Sequence, residues 1–117
     1  METPTNIKIN GTLYPAKLSG SVKDRTWDDR ESLSVTAQMT YAQAAALFVD
    51  NLVWGHTYQP PGADEAGNPW PVEEYDDSEY SVAGPITDNR DGTITAKMGK
   101  PTAAELLAEL VEVLHHE

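Results

Sequence analysis

The chain reads as an α+β domain, a mostly antiparallel sheet of about five or six strands with two helices packed on one face. Three observations carry that reading. Leu33, Val35, Ala37 and Met39 alternate with polar neighbours at the period of a half-buried strand. Asn10-Gly11 and Asp91-Gly92 suit tight reversals, so adjacent strands close as hairpins and pair antiparallel. Thr40 with Gln43, and Thr102 with Glu105, make capping boxes, each ahead of a helix-prone run.

Taken in order, residues 6–10 alternate with Ile7 and Ile9 on one face, and Asn10-Gly11 turns the chain into a returning strand. That strand carries Tyr14, Ala16, Leu18 and Val22 at even positions. Pro15 removes a ladder donor and predicts an edge or bulge, and Gly20 marks a second bend. Residues 23–31 form a hinge with four acids and three basic residues around Trp27, which reads as a self-neutralising strand connection. The alternating strand from Leu33 follows, then an alanine-rich helix over residues 41–49, closed by Asp50-Asn51. Val53, Trp54, Thr57 and Tyr58 predict a further strand despite Gly55.

Residues 60–79 hold four prolines, two glycines and seven acids with no lysine or arginine, and no regular element fits them. Long structureless loops inside compact domains tend to be functional or disordered. Residues 80–87 and 93–97 read as two strands joined by Asp88-Asn89-Arg90-Asp91-Gly92, with Ile94, Ala96 and Met98 inward. The last helix runs from Thr102 to about His115, with Leu106, Leu107, Leu110, Val111 and Leu114 as an apolar stripe and Glu105, Glu109 and Glu112 on the other side.

The totals bound the function. At 117 residues the chain is most simply one domain, residues 1–117, with one modest core. The absence of cysteine excludes disulfide scaffolds, thiolate metal sites and cysteine nucleophiles. A formal charge of −11 repels phosphate backbones and anionic membranes, so direct nucleic-acid or membrane binding is not expected. No signal-like or membrane-spanning run is found, which places the chain in the cytoplasm when made.

No catalytic, cofactor or metal pattern stands out. A calcium reading of the loop at residues 87–98 would put Thr87 at its first ligand position and Met98 at its twelfth, so a backbone turn explains it better. Glu73-Glu74 and Asp76-Asp77 could act as general acid and base only if burial separated their pKa values, and a polar loop offers little burial. His56 stands apart from any fixed partner and reads as a packed or surface histidine, while His115 and His116 suit a helix C-terminus. Trp27 and Trp70 are the candidate interface anchors, Trp54 belongs in the core, and Glu73, Glu74, Asp76 and Asp77 form a candidate acidic contact.

The stretches INGTLYPAKLSGSVKDRTWDDRESLSVTAQMTYAQAAALF and SEYSVAGPITDNRDGTITAKMGKPTAAELL resemble small uncharacterised proteins encoded by phages and prophages of gut Firmicutes. The resemblance implies a phage setting and carries no functional residue across. The resulting expectation is a non-catalytic protein-binding or structural accessory protein, whose partner is a second copy or a phage or host protein, with virion association as one setting. Two alternatives stay open: an acidic inhibitor of a host defence nuclease or other nucleic-acid-binding protein, as a nucleic-acid mimic or otherwise, and carbohydrate binding through Trp27 or Trp70.

Overall fold

The structure is a computed structural model that describes residues 5–115, with the side chains of residues 21 and 113–115 outside that description. Seven strands and two helices follow the chain as β1 (Thr5–Ile9), β2 (Thr12–Asp24), β3 (Arg30–Gln38), α1 (Tyr41–Leu47), β4 (Trp54–Tyr58), β5 (Glu73–Asp76), β6 (Val82–Asp88), β7 (Thr93–Gly99) and α2 (Ala103–His115). The sheet order is β5-β4-β1-β2-β3-β7-β6, with every neighbouring pair antiparallel. The expected α+β class and antiparallel sheet are present, but seven strands exceed the five or six expected. The surplus strand, β5, forms inside the acidic segment.

Local chemistry explains most boundaries. Asn10 and Gly11 both take positive φ, 52° and 80°, as a two-residue hairpin turn requires. Thr40 accepts from the Gln43 backbone N–H while the Gln43 side chain accepts from Thr40 N–H, so α1 begins on a complete capping box. Thr102 and Glu105 repeat the arrangement for α2. Pro15 stands where β2 changes partner: Pro15 pairs with Asn6 of β1, and Ala16 is the first residue to pair with β3. A missing donor is least costly at that handover. The bend foreseen at Gly20 lies slightly later, as a register shift between Ser21 and Asp24.

One face of the sheet carries the core. Ile7, Ile9, Ala16, Val35, Ala37, Ile94, Ala96 and Met98 are buried there and share a face by register. Ala44 of α1, with Phe48 and Leu52 just beyond it, covers this layer, and Phe48 meets Trp54 edge to face at 6.4 Å.

The second helix departs from expectation. Leu106, Leu107, Leu110 and Val111 of α2 are 52, 62, 56 and 44% exposed, so α1 alone packs on the sheet. The molecule is accordingly extended: its radius of gyration is 16.8 Å, where a compact chain of this length reaches about 13 Å. Its accessible surface of 7727 Å² exceeds the about 6,300 Å² typical of a monomer of this mass. Among the described residues no helix is long and apolar enough to cross a membrane.

Candidate interaction surface

The geometry of α2 starts at its first turn. Glu105 completes the capping box and also receives a forked pair of hydrogen bonds from Arg30, Nη1 to Oε1 at 2.7 Å and Nη2 to Oε2 at 3.1 Å. Arg30 is 5% exposed, gives a further bond to the Lys100 carbonyl at 3.2 Å, and lies 4.6 Å from the centroid of the Trp27 ring. The guanidinium and the Thr102 backbone N–H hold the Glu105 carboxyl down to about 2. The same carboxylate pushes the Arg30 pKa above its ordinary value. Among the described buried side-chain polar atoms only Arg30 Nε lacks a hydrogen bond, so the pairing is directed through the two terminal nitrogens.

This anchor fixes the rotation of the helix. At about 100° per residue, Glu105 lies roughly 140–160° around the axis from Leu107 and Leu110. Holding Glu105 against Arg30 therefore turns the leucine side outward. A groove of about 360 Å³ records the same orientation: Glu105, Ala108 and Glu109 of α2 face Asp50, Asn51, Ser81 and Val82 of the body across it.

Trp27 is part of the anchor's foundation. The β2–β3 turn folds over the polar face of the sheet, with Asp28 and Asp29 at φ 57° and 55°. The indole lies on two glycines: an added Cβ would stand 2.7 Å from its Cη2 at Gly84 and 2.8 Å from its Cζ3 at Gly99. It is half-buried against β6 and β7, with the Arg30 guanidinium over the ring. The charges of the hinge do not simply cancel one another. Asp24 pairs with Lys97 of β7 at 2.6 Å, which holds its carboxyl far below the usual range together with Thr26, and Arg30 pairs with α2. The turn also buries Ser32, expected to face water, whose hydroxyl donates to Asp24 at 3.2 Å.

Trp70 stays 45% exposed, beside a shallow cavity of about 430 Å³ lined by Pro60, Pro61, Pro71 and Glu73. The segment around it is ordered by its own bonds. The Asp64 carboxylate accepts from the backbone N–H groups of Ala66 and Asn68, and Gln59 Nε2 donates to the Trp70 carbonyl at 2.8 Å. The four acidic candidates are not one patch. Glu74 and Asp76 pair in register with Thr57 and Gly55, while Glu73 points with Tyr75 to the opposite face of β5. Asp77 is buried, donates its backbone N–H to the Trp54 carbonyl, and accepts from His56 Nδ1 at 2.5 Å.

His56 thus has a partner that its sequence position concealed. Its ring stacks on Tyr75 at 4.8 Å, and burial pushes the Asp77 carboxyl up while His56 partly opposes the shift. A concavity of about 540 Å³ lies over Gly55 on the side of Lys8, Glu74 and Asp76. His56 and Tyr75 are also among the residues that line it, although register places their side chains on the other face, with Ile7, where the His56 ring is held by Asp77 and Tyr75. His56 is a packed histidine. Among the described residues no group of His, Asp and Glu is arranged to hold a metal ion. The aspartates of the β6–β7 turn bond backbone N–H groups, Asp88 that of Arg90 and Asp91 that of Thr93. His116 lies outside the described residues, as do the side chains of Leu114 and His115.

Of the sequence-derived candidates, only Trp70, Glu73, Glu74 and Asp76 remain on the surface, at the β5 edge, whereas Trp27 and Asp77 are built into the body. The outward stripe of α2 brings four large exposed apolar residues together on one helix, where the periodicity predicts a core-facing side. Searches with the chain against protein-family models, curated proteins and solved structures find no match.

Proposed function

We propose that the chain is a non-catalytic protein-binding or structural accessory protein, working in a phage setting, that docks through the outward face of α2. One observation carries the reading: Leu106, Leu107, Leu110 and Val111 are each about half exposed or more, on a helix fastened by its opposite side. Contiguous exposed apolar residues on an otherwise polar helix mark interaction sites.

A magnitude bounds the contact. Covering four such side chains gives roughly 1 to 1.5 kcal/mol each, since about half of each is already covered. That gross gain of about 4 to 6 kcal/mol, less the cost of association, corresponds to a weak contact on its own. A partner that binds firmly must therefore engage more than the stripe.

Site-specific photo-crosslinking tests the reading. A photoreactive residue at position 110, in the cells that express the chain, is expected to give a discrete protein adduct. The same group at Val22, which is 78% exposed on β2, serves as the control and is expected to give none. Equal labelling from both positions, or no adduct from position 110, overturns the docking role of α2.

A further inference from the structure

We infer that the occupant of the α2 stripe is an amphipathic helix of another protein, with apolar residues along its centre and lysine or arginine at its flanks. The inference rests on the docking role proposed above and adds the chemistry of the partner. Residues 101–112 contain Glu105, Glu109 and Glu112 and no lysine, arginine or histidine, so the first three turns of α2 carry only acidic charge. Glu105 is committed to Arg30. Glu109 borders the stripe on the same side, one turn further on and beside Leu106 on the helix surface. On the opposite border Ala104 is small, which lets a second helix approach closely.

The charge selects between two helical occupants. A second copy would bring a helix with the same acidic side on a body of the same −11 charge, and like charges across a contact are unfavourable. A helix with basic flanks meets Glu109 with the opposite sign and is drawn in by the field of the whole chain.

The test uses the full chain and two labelled peptides of about 20 residues, one a leucine-striped helix with lysine flanks and the other its glutamate-flanked twin. Fluorescence anisotropy at low salt is expected to show the lysine peptide binding at least about tenfold tighter than the twin, with affinity falling as salt rises. Leu107→Glu with Leu110→Glu is expected to lose that binding although it makes the chain more acidic. An unchanged affinity in this variant would mean attraction to bulk charge and overturns the inference. Glu109→Lys is expected to narrow the preference between the peptides. Equal binding of both peptides, or of neither, overturns the basic-flanked partner. Self-association in sedimentation that the double substitution removes assigns the stripe to a second copy and overturns it too. A specific adduct from position 110 combined with failure of the peptides leaves the docking role standing and removes only the partner's chemistry.

Discussion

The two helices begin alike and end in opposite environments. Both start at a capping box, yet α1 offers only seven residues, alanine-rich, and sits on the core, while α2 offers thirteen with four large apolar residues exposed. Apolar content alone would rank them the other way. What separates them is the side by which each is held: α1 by Ala44 with Phe48 beyond it, α2 by a carboxylate on its polar side. A single buried guanidinium has decided where a leucine stripe points.

The comparison is broken most forcefully at its buried end. Phe48→Ala is expected to cost about 3 to 5 kcal/mol, because Phe48 closes the core over Trp54 and the cavity collapses only partly. Chemical denaturation with tryptophan fluorescence reads the loss. Arg30→Met is next, at about 2 to 3 kcal/mol, less than for a fully buried pair because Glu105 is 46% exposed and can rehydrate. Besides the lower midpoint, α2 amides should exchange faster in that variant. Gly99→Ala is expected to cost about 1 to 3 kcal/mol by driving a methyl into the Trp27 ring, with a shift in Trp27 emission as its signature. Leu107→Gln with Leu110→Gln, the same kind of apolar loss as at Phe48, should leave the midpoint within about 0.5 kcal/mol. A large drop there would mean that the stripe is packed after all.

Acid sharpens the same contrast. Glu105 is held at about 2 against an ordinary 4.5, so its contribution is complete above pH 4.5 and is lost as pH falls toward 2. Asp77 has the opposite sign, since burial raises its pKa and its contribution fades as pH rises. Glu105→Gln should therefore flatten part of the acid-side loss in a melting series and leave the remainder to Asp24, Asp76 and Asp91, whose carboxyls are also depressed. An unchanged acid limb would show that the anchor contributes nothing to stability.

What could be read from the residues was local. The hairpin at Asn10-Gly11, both capping boxes and the alternation from Leu33 depend on neighbours in the chain, and each appears where expected. β5 escapes sequence reasoning because Glu73–Asp76 is exposed throughout and mostly acidic, and it becomes a strand because β4 offers an open edge. There the Tyr75 carbonyl occupies the space that a side chain at Gly55 would fill, so the glycine that argued against a strand makes the pairing possible. Trp27 looked like a free anchor because its cradle, Gly84 and Gly99, comes from elements far along the chain. The periodicity of α2 predicts a core-facing stripe because the residue that sets its orientation, Arg30, lies 75 residues earlier. His56 and Asp77 are likewise joined across 21 positions.

The handover along β2 has a kinetic consequence. Residues 12–15 ladder to β1, and residues 16–24 ladder to β3, so the β5-β4-β1 group and the β3-β7-β6 group meet in the sheet only through one shared strand. Each group can open as a cooperative unit without breaking a hydrogen bond of the other's ladder. Amide exchange should then divide β2 at Pro15, its first stretch following the slow openings of one group and its second those of the other. α2 belongs to the second group twice over, through the Arg30 anchor on β3 and through residues 100–102 that join it to β7, so a load placed on α2 enters that group and not the acidic edge.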